Sequence, residues 1–102
     1  MKINSPVFNN GKSIPEQFTC DGKDINPQLV FSDVPANTKG LALIMDDPDS
    51  PTGTWTHWLL WNISPNTKEI GEGKIPRGAV QGKTNFGAAA YGGPCPGKGN
   101  HR

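Results

Sequence analysis

Glycine and proline interrupt this chain so often that short strands joined by turns are its most favourable arrangement. The sequence has 13 Gly and 10 Pro among 102 residues, and neither residue suits the interior of a helix or a central strand. No window shows the 3.6-residue apolar repeat of an amphipathic helix. This composition approaches that of disordered chains, but three Trp, four Phe and recurring aliphatic runs argue against disorder. One small domain spanning residues 1–102 is therefore expected.

Short apolar runs between the turn signals predict an all-β fold. The runs lie at residues 29–31, 40–45 and 54–63, with shorter ones near 69–70 and 79–81. The run at 40–45 is apolar on both faces, which is typical of a central strand in a sandwich. Short strands separated by Pro and Gly at regular spacing favour a β-sandwich over other folds.

Charge and apolar patterning exclude several classes of partner. The formal net charge is +1 and charged residues make up 19% of the chain, so there is no basic footprint for nucleic acid or an anionic membrane. No apolar run reaches the length of a transmembrane segment. The first residues lack the apolar core of a secretory signal, which makes a cytoplasmic location the expectation.

The two cysteines, Cys20 and Cys95, leave two alternatives open. In a cytosolic chain they are ordinarily two free thiols. A disulfide would close a long loop and stabilise the fold by about 4 kcal/mol in the chain-entropy model. Both cysteines lie in polar, turn-rich segments rather than in apolar runs, which mildly favours the bonded alternative.

The runs at 41–47 and 55–63 predict an antiparallel hairpin whose turn is centred on Thr52. In that register, residues whose numbers sum to 104 face each other on one side of the sheet. The predicted pairs are Leu41 with Ile63, Leu43 with Trp61, Met45 with Leu59, and Asp47 with His57. The ordinary interpretation of the last pair is a hydrogen bond where two strands end. The functional interpretation is a pocket lined by both side chains.

The Gly/Pro-rich segment Tyr91–Arg102 either frays or forms a rigid loop over a site that it helps to build. Its glycine amides beside a histidine and an arginine suit an anion-binding cradle. The residues involved are Gly92, Gly93, Gly97, Gly99, His101 and Arg102. Placed beside Asp47 and His57, Tyr91 and His101 would close the pocket.

Other site chemistries have weak support in the sequence. No HxH, HExxH or CxxC spacing is present, so neither a metal site nor a cofactor is expected. A hydrolase is a third, least favoured hypothesis, because there is no Gly-x-Ser-x-Gly motif. The prolines on both sides of Cys95 do not form the helix N-terminus that would activate a thiol. A non-enzymatic protein is therefore expected.

Three ordered motifs carry a resemblance that covers nearly the whole chain. They are Asp47-Pro48-Asp49-Ser50-Pro51, then His57-Trp58, then Gly93-Pro94-x-x-Gly97-x-Gly99-x-His101-Arg102. This set resembles the two signature regions of the phosphatidylethanolamine-binding protein family. Phe18-Thr19-Cys20-Asp21-Gly22, combined with Tyr91-Gly-Gly-Pro-Cys-Pro96, resembles its bacterial and archaeal branch, often called Raf kinase inhibitor-like.

The resemblance implies a Greek-key β-sandwich with long Gly/Pro-rich loops and a small anion pocket at one end. Together with Tyr91 from the adjoining segment, the ligand-binding residues expected are Asp47, His57, Tyr91, Gly93, Pro94 and His101. Asp49 would order its loop rather than touch ligand, and Trp55 would lie at the rim. The resemblance also implies a cis peptide bond before a proline in the Asp47–Pro51 segment.

Two functions follow from the resemblance as alternatives. The preferred one is a non-enzymatic, regulatory module that binds a small anion or phosphate-type ligand. The alternative is a protein inhibitor of a kinase or serine protease that acts through surface loops.

The family pattern continues beyond His101-Arg102 with an aromatic residue and about a third of a domain, so the chain is expected to be truncated. An exposed strand edge and apolar surface would then favour a homo-oligomer.

Overall fold

The computed structural model describes residues 1–51 and 53–95, which form six strands and one short helix. The strands are β1 (Lys2–Asn4), β2 (Leu29–Ser32), β3 (Leu41–Asp47), β4 (Trp55–Ile63), β5 (Glu69–Ile70) and β6 (Val80–Gln81). A single 3-10 turn covers Glu16–Phe18. The predicted all-β fold is confirmed. No helix in these two ranges is long and apolar enough to cross a membrane.

The strands pair into two antiparallel sheets of three strands, ordered β1-β2-β5 and β3-β4-β6. The apolar core draws side chains from both sheets. Its buried members are Phe31, Trp58, Leu60, Ile63 and Ile70. Burying one large apolar side chain contributes about 1.5–3 kcal/mol, so this cluster is the main source of stability in the sandwich.

Strand β3 lies at one end of its sheet rather than at the centre, and β4 is the central strand. The side chains of β3 alternate between half-buried and exposed, and Ile44 is 64% exposed. The expectation of a strand buried on both faces was therefore wrong. Apolar composition predicts a strand here, but it does not report how many neighbours that strand will have.

The predicted hairpin forms, but its register is correct at only one pair. Leu41 faces Ile63 as expected, and irregularities in pairing between Leu41 and Leu43, and again between Met45 and Asp46, then shift the two strands. As a result Asp47 faces Trp55 rather than His57. The pairs predicted for Leu43 and Met45 are wrong too, since their partners are Leu60 and Trp58. Each bulge adds a residue to one strand and so changes which face the following residues occupy.

The loop after β3 is ordered by its first carboxylate. The Asp49 backbone N–H donates to Asp47 Oδ1 at 2.9 Å, which is the pattern of an Asx-turn. Asp47 therefore has an ordering role that the sequence assigned to Asp49. None of the peptide bonds within the described ranges is cis, so the cis bond expected before a proline in this segment is not found.

Candidate functional site

His57 is the most informative predicted site residue, because it is polar, buried and oriented by a single partner. It is 6% exposed, and its Nδ1 lies 2.7 Å from the Gly92 carbonyl oxygen. A carbonyl oxygen only accepts, so Nδ1 carries the proton and Nε2 is the ring nitrogen left for another partner. The Gly92 N–H donates back to the His57 carbonyl at 2.9 Å. This reciprocal pair fixes both the tautomer and the position of the ring.

The Phe86 ring lies beside His57 and in turn contacts Trp55. The Phe86 ring centroid lies 5.5 Å from that of His57 and 5.4 Å from that of Trp55, the latter in a T-shaped contact. Asp47 is the cross-strand partner of Trp55. We call Asp47, Trp55, His57 and Phe86 the hairpin-end site. It gathers the predicted carboxylate and imidazole at one end of the hairpin, although the two are not cross-strand partners.

The loop of residues 85–92 is hydrogen-bonded to β4 at both of its ends, and this places Phe86 at the site. The Asn85 side-chain oxygen accepts the Thr56 N–H at 2.6 Å, and the Asn85 N–H donates to the Thr56 carbonyl at 3.2 Å. At the other end of the loop, Gly92 pairs with His57. One end of the loop is thus hydrogen-bonded to Thr56 and the other end to its neighbour His57. These two attachments hold Phe86 beside the imidazole.

Residues 91–95, which we call the wall segment, run between β4 and the loop that follows the 3-10 turn. The Gly93 N–H donates to Asp24 Oδ1 at 2.6 Å. The Pro94 carbonyl accepts the Cys20 N–H at 3.2 Å. The wall segment is therefore hydrogen-bonded to this loop through Gly93 and Pro94, and to β4 through Gly92.

The disulfide between Cys20 and Cys95 closes the end of the wall segment. Their Cα atoms are 5.5 Å apart, and 75 residues separate them in sequence. Of the two alternatives left open by the sequence, the structure contains the bonded one. The crosslink joins the wall segment covalently to the same loop to which Gly93 and Pro94 are hydrogen-bonded.

Tyr91 serves as an internal anchor for the wall segment. Its hydroxyl donates to the Phe18 carbonyl at 2.8 Å, and its ring makes a T-shaped contact with Trp58 at 5.5 Å. Burial, together with the negative charge of Asp24, raises the pKa of the Tyr91 phenol well above its usual range. The phenol therefore remains a neutral donor, engaged with the protein rather than offered to a ligand.

The glycine amides predicted to cradle an anion are already used at two positions. The N–H groups of Gly92 and Gly93 donate to His57 and Asp24, so neither amide is left for a ligand. Gly93 has a packing role as well, since a Cβ there would collide with the Phe18 carbonyl and the Asp24 carboxylate. The other predicted cradle residues, Gly97, Gly99, His101 and Arg102, lie outside the described residues.

Four contributors to this region were missed in the sequence, namely Phe18, Asp24, Asn85 and Phe86. Phe18 is fully buried, but it lies in a polar, turn-rich stretch that no apolar pattern marks. Asp24 adopts a positive φ of 57°, a conformation that Asp tolerates better than most residues do. The Thr84–Gly87 turn could have been read from its residue types, but its docking on β4 could not.

The described side chains at this site offer hydrogen-bonding groups. In the part of the chain that the structure describes, no three His, Cys, Asp or Glu residues gather as metal ligands. Both cysteines are consumed by the disulfide, and His57 Nδ1 is engaged. A partly enclosed imidazole beside aromatic rings, with a carboxylate nearby, is the chemistry available.

Two packed antiparallel sheets with a buried histidine at one hairpin end define a β-sandwich of a recognised type. Residues 4–102 match the family described as Phosphatidylethanolamine-binding protein, and the chain belongs to this family. A UPF0098 protein of Aquifex aeolicus is 50% identical over 108 residues, covering 100% of this chain and 63% of that protein. One from Methanothermobacter thermautotrophicus is 44% identical, covering 100% of this chain and 71% of that protein.

Solved structures give the same assignment. A phosphatidylethanolamine-binding protein homologue from Chlamydia trachomatis superposes with a TM-score of 0.92 at 40% identity, covering 97% of this chain and 67% of that one. Escherichia coli YbcL, a member of the mammalian family by its description, gives a TM-score of 0.89 at 33% identity, covering 97% of this chain and 68% of its own. The chain thus spans between 63% and 71% of the length of these four proteins.

Proposed function

We propose that this chain is a non-enzymatic binding module that holds a small anion or a phosphate-type ligand at the hairpin-end site. The observation that carries this proposal is the fixed orientation of His57, whose Nδ1–H is committed to the Gly92 carbonyl at 2.7 Å. The second ring nitrogen is thereby the atom that meets a ligand. The family description, which names phosphatidylethanolamine, supports a ligand of this class.

Protonation of His57 would turn the site into an anion receptor. An imidazolium donates from both nitrogens, so Nε2–H can bond an anion oxygen while Nδ1–H keeps its bond to Gly92. A charge-assisted hydrogen bond of this kind is roughly twice as strong as a neutral one. His101, the second predicted histidine, would add a second donor.

Asp47 would extend the preference to ligands that carry an ammonium group as well as a phosphate. A carboxylate accepts hydrogen bonds from ammonium donors, and Asp47 lies at the same hairpin end as His57. Phosphoethanolamine has both groups, whereas inorganic phosphate has only the anion. The two ligands together therefore separate the contribution of Asp47 from that of His57.

Titration calorimetry with inorganic phosphate and with phosphoethanolamine tests the proposal. We expect weak binding of both, reduced at least about tenfold in His57→Ala because one charge-assisted hydrogen bond is lost. His57→Asn, whose amide nitrogen takes the place of Nδ1 and can still donate to Gly92, should keep the fold but not the affinity. Asp47→Asn should weaken phosphoethanolamine more than phosphate, and Lys39→Ala, an exposed change of charge, should alter neither.

Sulfate provides a further anion probe that carries no ammonium group. Its binding should weaken in His57→Ala as that of phosphate does, because the same Nε2 donor is lost. Phosphate binding that is equally tight in wild type and folded His57→Ala would contradict the proposal. So would a wild-type chain that binds none of the three anions.

A further inference from the structure

We propose that the Cys20–Cys95 disulfide is a thiol–disulfide exchange site through which a dithiol reductant controls the hairpin-end site. Both cysteines are exposed, so a reductant can reach the sulfur atoms, and access is one condition for exchange. The bond ends the wall segment, whose Gly92 orients His57. The consequence for ligand affinity rests on the function proposed above, whereas the exchange itself does not.

The wall segment depends on this bond more than the sandwich does. Gly92 and Gly93 have no side chains to bury, so their positions rest on backbone hydrogen bonds to His57 and Asp24. Tyr91 anchors the start of the wall segment to Phe18 and Trp58, whereas its end is held by the bond between Pro94 and Cys20 and by the disulfide. From Gly92 onward the segment has fewer apolar contacts than the core, and such regions open at lower free energy.

The core, by contrast, is assembled without the cysteines. Neither Cys20 nor Cys95 belongs to the buried cluster formed by β2, β4 and β5. Reduction therefore removes a crosslink at one end of the molecule while leaving the apolar contact between the sheets in place. A local opening of the wall segment, rather than global unfolding, is the expected response.

Opening of the wall segment would weaken ligand binding by breaking the contact between Gly92 and His57. When the Gly92 carbonyl moves away, His57 Nδ1 loses its acceptor and the ring is no longer held in one tautomer. The segment that follows Cys95 also contains His101, six residues further along the sequence. Because apparent affinity scales with the fraction of molecules in the competent state, a smaller closed fraction weakens binding in proportion.

The chemistry is ordinary disulfide exchange and needs no other partner. One thiolate of the reductant attacks a sulfur of the Cys20–Cys95 bond and forms a mixed disulfide, releasing the other cysteine as a thiolate. The second thiol of the reductant then displaces the remaining cysteine. The protein gains two electrons and two protons as two thiols, and the reductant leaves as its cyclic disulfide.

Amide hydrogen exchange on oxidised and dithiothreitol-reduced protein tests the inference directly. We expect exchange at Gly92 and Gly93 to accelerate at least about tenfold on reduction. In the reduced protein, Phe31, whose N–H donates to the Lys68 carbonyl, should remain at least about tenfold more protected than Gly92 and Gly93, because the apolar core outlasts the wall segment. The chain has only two cysteines, so the reductant acts at one place. The double variant Cys20→Ser/Cys95→Ser should show fast amide exchange at Gly92 and Gly93 with or without reductant.

Calorimetry with inorganic phosphate under the same two conditions tests the link to the site. Affinity should weaken about fivefold on reduction if the closed fraction falls to about a fifth, with no such change in the double serine variant. Unchanged exchange at Gly92 and Gly93 would overturn the inference, as would equal protection of Gly92, Gly93 and Phe31 after reduction, which would mean that the disulfide holds the whole fold rather than the wall segment. If the oxidised chain binds no phosphate, the proposed function fails, while the exchange data still decide whether the disulfide controls the wall segment.

Discussion

The apolar core and the glycines at the centre of the wall segment are both buried, but different forces hold them. In the core, Trp58 and Leu60 pack against Phe31 and Ile70 from the opposite sheet, and the stabilising contribution scales with the apolar area removed from water. In the wall segment, Gly92 and Gly93 are buried without side chains and are held by individual hydrogen bonds. The free energy of unfolding should therefore fall when apolar side-chain volume is removed from the core. In the wall segment it should fall when a single hydrogen-bond partner is removed or a side chain is added.

The largest expected effect contrasts two tryptophans of β4. Trp58→Ala should lower the free energy of unfolding by about 3–5 kcal/mol, because the ring is 1% exposed and its Nε1–H donates to Gln81 at 2.9 Å. Trp61→Ala, at a ring that is 48% exposed, should cost less than about 1 kcal/mol. Urea unfolding followed by circular dichroism measures both. Equal losses in the free energy of unfolding would show that the buried and the exposed tryptophan contribute alike, which would contradict this prediction.

The next effect uses glycine to probe space in the wall segment. Gly93→Ala should cost about 1–3 kcal/mol, because the added methyl group meets the Phe18 carbonyl and the Asp24 carboxylate. Gly40→Ala is the matched control, since the nearest atom to its Cβ is the Ile63 carbonyl oxygen at 3.8 Å. That change should be neutral or slightly stabilising. Thermal unfolding of the two variants side by side decides the point, and a tolerated Gly93→Ala would contradict it.

A smaller effect isolates one hydrogen bond with a pair matched in backbone conformation. Asp24 and Asp33 both adopt positive φ, 57° and 56°, so glycine relieves the same strain in each. Asp24→Gly removes the acceptor of the Gly93 N–H and should cost about 1–2 kcal/mol more than Asp33→Gly. Asp33 makes only an exposed ion pair with Lys2 at 3.8 Å, which contributes little. Indistinguishable unfolding midpoints would mean that the Asp24 bond does not hold the wall segment.

The smallest effect concerns the Tyr91 hydroxyl. Tyr91→Phe should cost about 1 kcal/mol at neutral pH through the lost bond to Phe18. The folded-state pKa of Tyr91 is raised, so the folded chain keeps a proton that the unfolded chain releases above about pH 10. This contribution is fully present below that pH and declines as the pH rises, and Tyr91→Phe should lack the decline.

Tyrosinate absorbance checks the Tyr91 prediction independently. The chain has one tyrosine, so the ultraviolet signal of ionised tyrosine reports on Tyr91 alone. Ionisation should be delayed to higher pH in the folded protein than in urea-unfolded protein. Coincident titration curves would show that burial and Asp24 do not protect the phenol.

Local patterning placed five of the six described strands, but it missed β1 at Lys2–Asn4, and it failed where pairing departs from regularity. Val80–Gln81 and Glu69–Ile70 were located from very short apolar signals, and Leu41 was paired correctly with Ile63. The register then failed at Asp47, because two irregularities intervene and no residue type marks them unambiguously. Asn62 carries a positive φ of 58° near one of them, a preference that Asn shares with many turn positions.

The sequence by itself determined the all-β class, the extent of the central hairpin and, through its motifs, the family. These properties depend on alternation, on turn-forming residues and on residue identities at fixed spacing, all of which are local. Only the tertiary structure decided that Asp47 faces Trp55, that Gly92 orients His57, and that Asp24 and Cys20 hold the wall segment. The contacts of the wall segment join residues 35 to 75 positions apart, and the pairing of Asp47 follows from two irregularities in the hairpin; no local pattern encodes either.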